Sequence, residues 1–352
     1  MAKKIKTVSA DKIKHDIDPP EEIRALRSAL ADADARLEEY KTEHGTIKGM
    51  MRDISETIQA LPAPTIIYKK PDSSMVESPV ALVVLNGDWH MGAEQDKDEI
   101  EGFNEFSPEI LDSRITNFTT DVLNCNENHK KSYDVDICHI INTGDMVSGD
   151  IHDELRVTNR WPLPVQAVEA ARLFAKEISL FAPHFRKVVV DMITADNHGR
   201  LTKKPQHKEG GFNSINYPLA VIAQTLLKDH ENVTFNIHAK EQQSITVNGR
   251  RYLIIHGHQV RGWMGIPFYG FERKVGREAT KRMRADIAKF DRILAGHYHT
   301  PYSFPLYWGG GSASGTDAYD HSQGRDSEPS QSSWFVHPKH GEFDRTNWLL
   351  KE

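Results

Sequence analysis

Between residues 20 and 61, apolar side chains recur at alternating steps of three and four. They are Ile23, Leu26, Leu30, Ala33, Leu37, Tyr40, Ile47, Met51, Ile54, Ile58 and Leu61, with His44 filling the one polar register position. This is a heptad seam, and it predicts a helical, coiled-coil-like arm over residues 1–61. Pro19 and Pro20 followed by Glu21 and Glu22 suit the helix start. Gly45 and Gly49 weaken its middle by ~1 kcal/mol each relative to alanine and mark a place where two shorter helices could meet. The arm either pairs subunits or folds back on its own globular part. Residues 62–79, PAPTIIYKKPDSSMVESP, carry four prolines and read as a linker.

From residue 80 to 352 the pattern alternates. Short β-branched apolar runs at 80–85, 135–141, 188–193 and 233–237 predict strands. Helical spacing after Ser107-Pro108 (Ile110, Leu111, Ile115, Phe118, Val122), at 165–181 and at 217–227 predicts the helices between them. Thereafter the chain turns β-rich. Segments 244–247 and 252–255 flank Asn248-Gly249, a strong hairpin signal. A short strand at 293–294 and two or three late strands complete the order. Strand–helix units followed by hairpins predict an α/β fold with two packed sheets and helices outside.

Composition narrows the class. The net charge of −6 argues against a chain built throughout to coat nucleic acid, so any such contact must be local. Cys125 and Cys138 are the only cysteines, too few for a disulfide framework. The basic N-terminus has no apolar run behind it, and no stretch approaches the ~18–20 apolar residues of a membrane span. A soluble cytoplasmic protein without membrane contact is expected.

Five polar clusters carry the chemistry: GDWH at 87–90, TGDMVSGD at 143–150, ADNHGR at 195–200, IIHGHQV at 254–260 and AGHYHT at 295–300. Each follows a predicted strand, so their side chains can converge on one crevice. Asp88, His90, Asp145, Asn197, His256, His297 and His299 offer carboxylate, amide and imidazole donors and no thiolate. Mixed oxygen–nitrogen ligation suits Mn, Fe or Zn better than Mg or Ca alone. Seven donors exceed one tetrahedral zinc and suit two metals sharing a carboxylate. Two metals ~3.5–4 Å apart are a common clamp for displacement at phosphorus.

In order, these blocks resemble the signature of the calcineurin-like metallophosphoesterases: D-x-H (Asp88, His90), G-D (Gly144-Asp145), N-H (Asn197-His198), H (His256) and G-H-x-H (His297, His299). The resemblance spans residues 80 to 352 and implies a four-layer αββα sandwich. It implies that Asp88, His90, Asp145 and His299 hold a first divalent metal, and that Asp145, Asn197, His256 and His297 hold a second. Mn is expected, with Fe, Zn and Ni also fitting the donors. Asp145 would bridge, and a metal-bridging hydroxide would attack phosphorus. His198, beside the phosphate with Asn197, would protonate the leaving oxygen or stabilise charge. Ser330-Gln331 with Trp334–Pro338, and the stretch 199–205, resemble uncharacterised phage-encoded members, which would place the protein in a host cytoplasm.

Two departures matter. The family's N-H is followed by an acid, but Gly199 stands here, so His198 needs another partner, for which Asp150 and Asp153 are candidates. Arg200 next to it could grip a phosphate bidentately or point to solvent. The D-R pair of the protein Ser/Thr phosphatases is absent from 144–150, which argues against that subgroup.

The substrate is least legible. Arg261, Arg273, Arg277, Lys281, Arg282 and Arg284 lie between the last two clusters, with Trp263, Phe268, Tyr269 and Phe271 among them. Such a mixture suits DNA or RNA. It also suits a plain amphipathic helix at 278–290 with Ala279, Met283, Ile287 and Phe290 turned inward. The expected activity is phosphodiester hydrolysis of nucleic acid or nucleotides. Phosphomonoester hydrolysis and a non-catalytic metal-binding scaffold are the alternatives. A homo-oligomer through residues 20–61 is the expected assembly.

Overall fold

The computed structural model describes residues 79–262 and 266–352, with the single positions Ala31, Gly49 and Arg52. The predicted arm and linker, and Trp263, lie outside the described residues.

Strands β1 (Pro79–Asn86), β2 (Asp134–Asn142), β3 (Lys187–Ile193) and β4 (Val233–His238) of the globular part pair in parallel. The late strands β10 (Ser330–His337) and β11 (Gly341–Leu349) complete this six-stranded sheet by antiparallel pairing on the β1 side. The second sheet has the order β5-β6-β7-β9-β8. Its members are β5 (Gln242–Val247), β6 (Arg250–Ile255), β7 (Arg292–Ala295), β8 (Tyr302–Ser303) and β9 (Tyr307–Gly309). The hairpin joining β5 to β6 turns at Asn248 and Gly249, both at positive φ, as an Asn-Gly turn requires.

The two sheets pack face to face. Ala81, Val83 and Leu85 of β1 meet Tyr252 and Ile254 of β6, Leu294 of β7 and Trp308 of β9 in one buried cluster. The alternate residues Leu82 and Val84 are equally buried on the opposite face, under the helical layer. A central parallel strand covered on both faces has to be apolar throughout, which is why residues 80–85 form an unbroken run. That layer comprises α1 (Pro108–His129), α3 (Leu163–Phe181) and α4 (Asn216–Leu226), and the single turn α2 (Leu155–Thr158), which buries no residue, lies in the connection from β2 to α3. Ser107 caps α1 by accepting from the Ile110 N–H, with Pro108 at the first helical position. On the far face of the second sheet lies α5 (Phe268–Arg284), whose Phe271 and Val275 pack with Leu253, Ile255 and Ile293. A short helix, α6 (Ala318–Ser322), precedes β10. The layers run α-β-β-α, as the resemblance implies.

One expectation fails. The helix predicted at 278–290 runs from Phe268 to Arg284, and its buried residues are Phe271, Val275, Glu278 and Arg282. Met283 and Ile287 are exposed at 70% and 51%. The inward face is therefore about one residue, or 100°, away from the apolar positions. Two charged residues occupy it because they are satisfied there. Glu278 accepts from Gln242 and pairs with Lys274 and Lys281. Arg282 donates to Ser244 Oγ and to the Ala288 carbonyl, with its guanidinium over the Phe290 ring. Among the described residues, no helix is long and apolar enough to cross a membrane.

Candidate metal centre

Every predicted ligand follows the carboxyl end of a parallel strand: β1 leads to Asp88 and His90, β2 to Asp145, β3 to Asn197 and His198, β6 to His256, and β7 to His297 and His299. The loops after β1 and β2 continue the ladder that precedes them. Asp88 N–H donates to the Gly144 carbonyl at 2.9 Å, and Trp89 and His90 N–H to the Asp145 carbonyl at 2.9 and 3.1 Å. The residue between each pair of ligands faces away from the centre. Trp89 is fully buried against Phe174 of α3, and Tyr298 packs on Phe271 of α5. The D-x-H and H-x-H spacings thus anchor each ligand pair in a helical layer on the far side.

The donors gather into two groups. Asp88, His90 and His299 present ligand atoms within 4.8 Å of one another, and so do Asp145, His256 and His297. Asn197 joins the second, its Oδ1 2.8 Å from His256 Nε2. Five of the seven predicted ligand residues sit at positive φ: Asp88, His90 and Asp145 at 50°, His297 at 75° and His299 at 58°. A left-handed conformation costs a residue with a side chain ~1–2 kcal/mol, and such strain collects where side chains must be aimed. At Gly296 a Cβ would collide with the Asp88 carboxylate, so the G of G-H-x-H is a demand of close approach.

The donor chemistry fits divalent cations. His90 Nε2 and His299 Nε2 converge at 3.1 Å, close enough for both ring nitrogens to face one cation once His299 has given up its proton. Asp145 is 1% exposed; its Oδ2 lies 3.0 Å from His256 Nε2 yet accepts no well-formed hydrogen bond. Burial raises the Asp88 carboxyl to about 6. Burial would likewise raise Asp145, but the facing imidazoles of His256 and His198 hold it well below the usual carboxylate range. Burial lowers His256 and His299, yet the partners win. The Asp145 carboxylate carries His256 up to about 10, and the Asp320 hydrogen bond with the Asp88 charge carries His299 to about 9. Protons thus balance the buried carboxylates where metal charge would otherwise do so. His90 and His297 are held well below their ordinary value, by burial first and then by neighbouring histidines, and are neutral. Two of the candidate imidazoles are oriented from behind: His256 Nδ1–H donates to the Thr143 carbonyl at 2.8 Å, and His299 Nδ1–H to Asp320 at 3.1 Å.

His198 does not use Asp150 or Asp153. Its Nδ1–H donates to the Ser148 carbonyl at 2.6 Å, and its ring stands edge-on to His90 with centroids 4.6 Å apart. Asp150 and Asp153 instead lie toward Arg156 on the surface. Burial lowers the His198 pKa. Gly199 has a steric cause: a Cβ there would come within 2.6 Å of Asp196 Oδ1 and Ser214 Oγ. Arg200 reaches the edge of the centre, where two of its N–H groups are engaged by the carbonyls of Thr202 and Asn197.

Asp196 and Asp320 escaped the sequence reading. Asp196 accepts from Asp145 N–H at 2.7 Å, from Gly199 N–H at 3.0 Å and from Asn216 Nδ2, joining the loops after β2 and β3 to the start of α4. Burial and the nearby Asp145 charge raise its carboxyl to about 7. Its only sequence signal was its place before Asn197. Asp320 on α6 is held by Arg325 at 2.8 Å, and nothing local marks it.

No protein-family model matches the chain, and no curated protein matches it. Among solved structures it is similar to a novel archaeal phosphodiesterase, at 10% identity over 76% of this chain and 99% of that one, with a TM-score of 0.34. Zinc-complexed Vps29 from Entamoeba histolytica covers 76% and 98% of the two chains at 12% identity and a TM-score of 0.28. The calcineurin-like phosphoesterase YfkN from Bacillus subtilis covers 78% and 91% at 9% identity and 0.30. Likenesses this distant carry no functional weight, and function has to be read from the geometry of the centre.

Proposed function

We propose that this chain is a calcineurin-like metallophosphoesterase that hydrolyses phosphodiesters of nucleic acid or nucleotides with two divalent metals. The observation that carries the reading is the pair of adjacent donor groups at the ends of five parallel strands, with buried Asp145 among them. Asp88, His90 and His299 would hold one ion, and Asn197, His256 and His297 the other, with Asp145 shared. Bound there, the ions, manganese foremost, supply Lewis acidity toward the phosphoryl oxygens and the attacking water.

The chain's own residues do the rest. Asp196 fixes the Asp145 and Gly199 backbones, so the shared carboxylate and His198 keep a constant separation. His198 commits Nδ1–H to Ser148, which leaves Nε2 as its free ring nitrogen. In the free protein that ring is neutral, because burial lowers its pKa. A phosphate anion beside it favours the protonated form, and Nε2–H then donates to the oxygen that leaves. Replacing His198 by Gln should lower kcat by ~10²–10⁴ with metal content retained.

The test is manganese-dependent cleavage of bis-p-nitrophenyl phosphate and of a labelled single-stranded oligonucleotide, with Asp145→Asn as control. Turnover of the small diester by the parent alone supports the proposal. Turnover of p-nitrophenyl phosphate but of no diester would make the protein a phosphomonoesterase. Metal binding without turnover of any of these would leave a scaffold.

A further inference from the structure

The solvent face of α5 has no role in holding the metal centre, yet it is built from one kind of group. Arg273, Arg277, Lys281 and Arg284 follow at steps of four, four and three, and therefore lie in one stripe along the helix. All four are exposed. Among the described residues, Arg277 and Arg284 have no ion-pair partner, and Arg273 meets only the Tyr269 ring, 5.8 Å from its centroid. Glu278, buried on the inner face, pairs with Lys274 and with Lys281, so Lys281 is the one member of the row with an acidic partner among the described residues. A cationic row in a chain of net charge −6 is a local feature, not a reflection of overall composition.

Three further observations say what the row fits. Gly276 sits between Arg273 and Arg277 with nothing within 4 Å of where a Cβ would be, so none of the described residues covers the stripe there. At one end stands Tyr269, 67% exposed, and Met283 is 70% exposed beside the other. The Tyr269 end is the one nearest the metal centre. Phe271, in the same helical turn, packs 6.0 Å from Tyr298, the residue between ligands His297 and His299. Tyr298 in turn donates its hydroxyl to the Val260 carbonyl, in the loop that follows His256.

Resting on the phosphodiesterase reading, we infer that this face of α5 is a track for a single strand of nucleic acid, which it leads to the metal centre. The cations step along the helix by about 6 Å per four residues, a spacing suited to successive phosphates of an extended strand. Tyr269 offers a ring on which a base can stack. The partner is polymeric, because a mononucleotide at the metals would not reach Arg277 or Arg284 two and four turns along.

The experiment measures binding of labelled oligo(dT) by anisotropy, in chelator so that nothing is cleaved, across a salt series. The triple variant Arg273→Gln/Arg277→Gln/Arg284→Gln should bind at least tenfold more weakly at low salt. Its slope of log K against log salt should be shallower by about 2, since each lost contact on a single strand removes roughly 0.7. The second variant, Tyr269→Ala, alters no charge. It should lose roughly fivefold or more in affinity for oligo(dT) and nothing for an abasic strand of equal length. Both variants should turn over bis-p-nitrophenyl phosphate as the parent does, which also establishes that they fold. Unchanged affinity and slope in the triple variant, with small-diester turnover intact, would overturn the track and leave the phosphodiesterase reading standing. A parent that binds the strand through α5 but hydrolyses no diester would overturn that reading instead.

Discussion

Glu177 lies on α3 beneath the metal centre, 1% exposed, and nothing in the proposed chemistry uses it. Asn86 Nδ2 donates to its Oε2 at 2.8 Å, and its Oε1 has no partner. The chain of polar contacts continues upward, from Asn142 Nδ2 to Asn86 Oδ1 at 2.9 Å and from Gly144 N–H to Asn142 Oδ1 at 3.0 Å. Burial raises the Glu177 carboxyl from 4.5 to about 8, against a smaller opposite effect of the Asn86 hydrogen bond. The folded protein therefore binds a proton that the unfolded chain releases. A raised folded pKa means that this stabilisation is complete below pH 4.5 and is lost as the pH rises toward 8. At ~1.4 kcal/mol per unit, the whole window is worth on the order of 5 kcal/mol.

Glu177→Gln keeps the shape and the Asn86 contact but cannot ionise. Its constant offset from the parent is of no diagnostic use, because the unpaired atom at Oε1 remains in both proteins. The pH dependence is diagnostic. The stability of the variant minus that of the parent should climb between pH 5 and 8 by ~1.4 kcal/mol per unit and then level. Urea unfolding of the metal-free proteins at half-unit pH steps measures it, with m compared to verify that the unfolded states match. A difference that stays flat from pH 5 to 9 would refute the assignment. It would mean that water reaches Glu177 or that the carboxylate is paired.

Three further outcomes are expected at the centre. Gly199→Asp supplies the acid of the signature that these blocks resemble but drives a Cβ against Asp196 and Ser214, so manganese affinity by calorimetry should fall more than tenfold. Wild-type affinity would show that the Asp196 network yields easily. Asp320→Ala removes the partner of His299 Nδ1 and should weaken metal binding 10–100-fold with unchanged circular dichroism; equal affinity would mean that packing alone orients the ring. Loading the metal-free protein with manganese at pH 7.5 should release protons, because His256 and His299 are held protonated and must be neutral to ligate. Calorimetric enthalpies that do not vary with the ionisation enthalpy of the buffer would contradict this.

The alternation of apolar runs and helical spacings sufficed to place β1 to β4 and the helices among them, because burial on one or two faces writes its period directly into neighbouring residues. Asn248-Gly249 was enough for the β5–β6 turn, since few other pairs tolerate two successive positive φ values. The seven candidate donors could be picked out for a similar reason: each lies within a few residues of a strand end, and the strand end aims it. What crosses between segments left no such trace. Asp196 serves a loop 51 residues earlier, and Asp320 serves His299 from a separate helix. His198 found a backbone carbonyl, which no side-chain motif can announce. The inward face of α5 went to Glu278 and Arg282 because β5 offers Gln242 and Ser244 at that height. A sequence period reports which side of an element is apolar. Which polar groups are satisfied, and hence which charges are left facing water, is settled only when the elements meet.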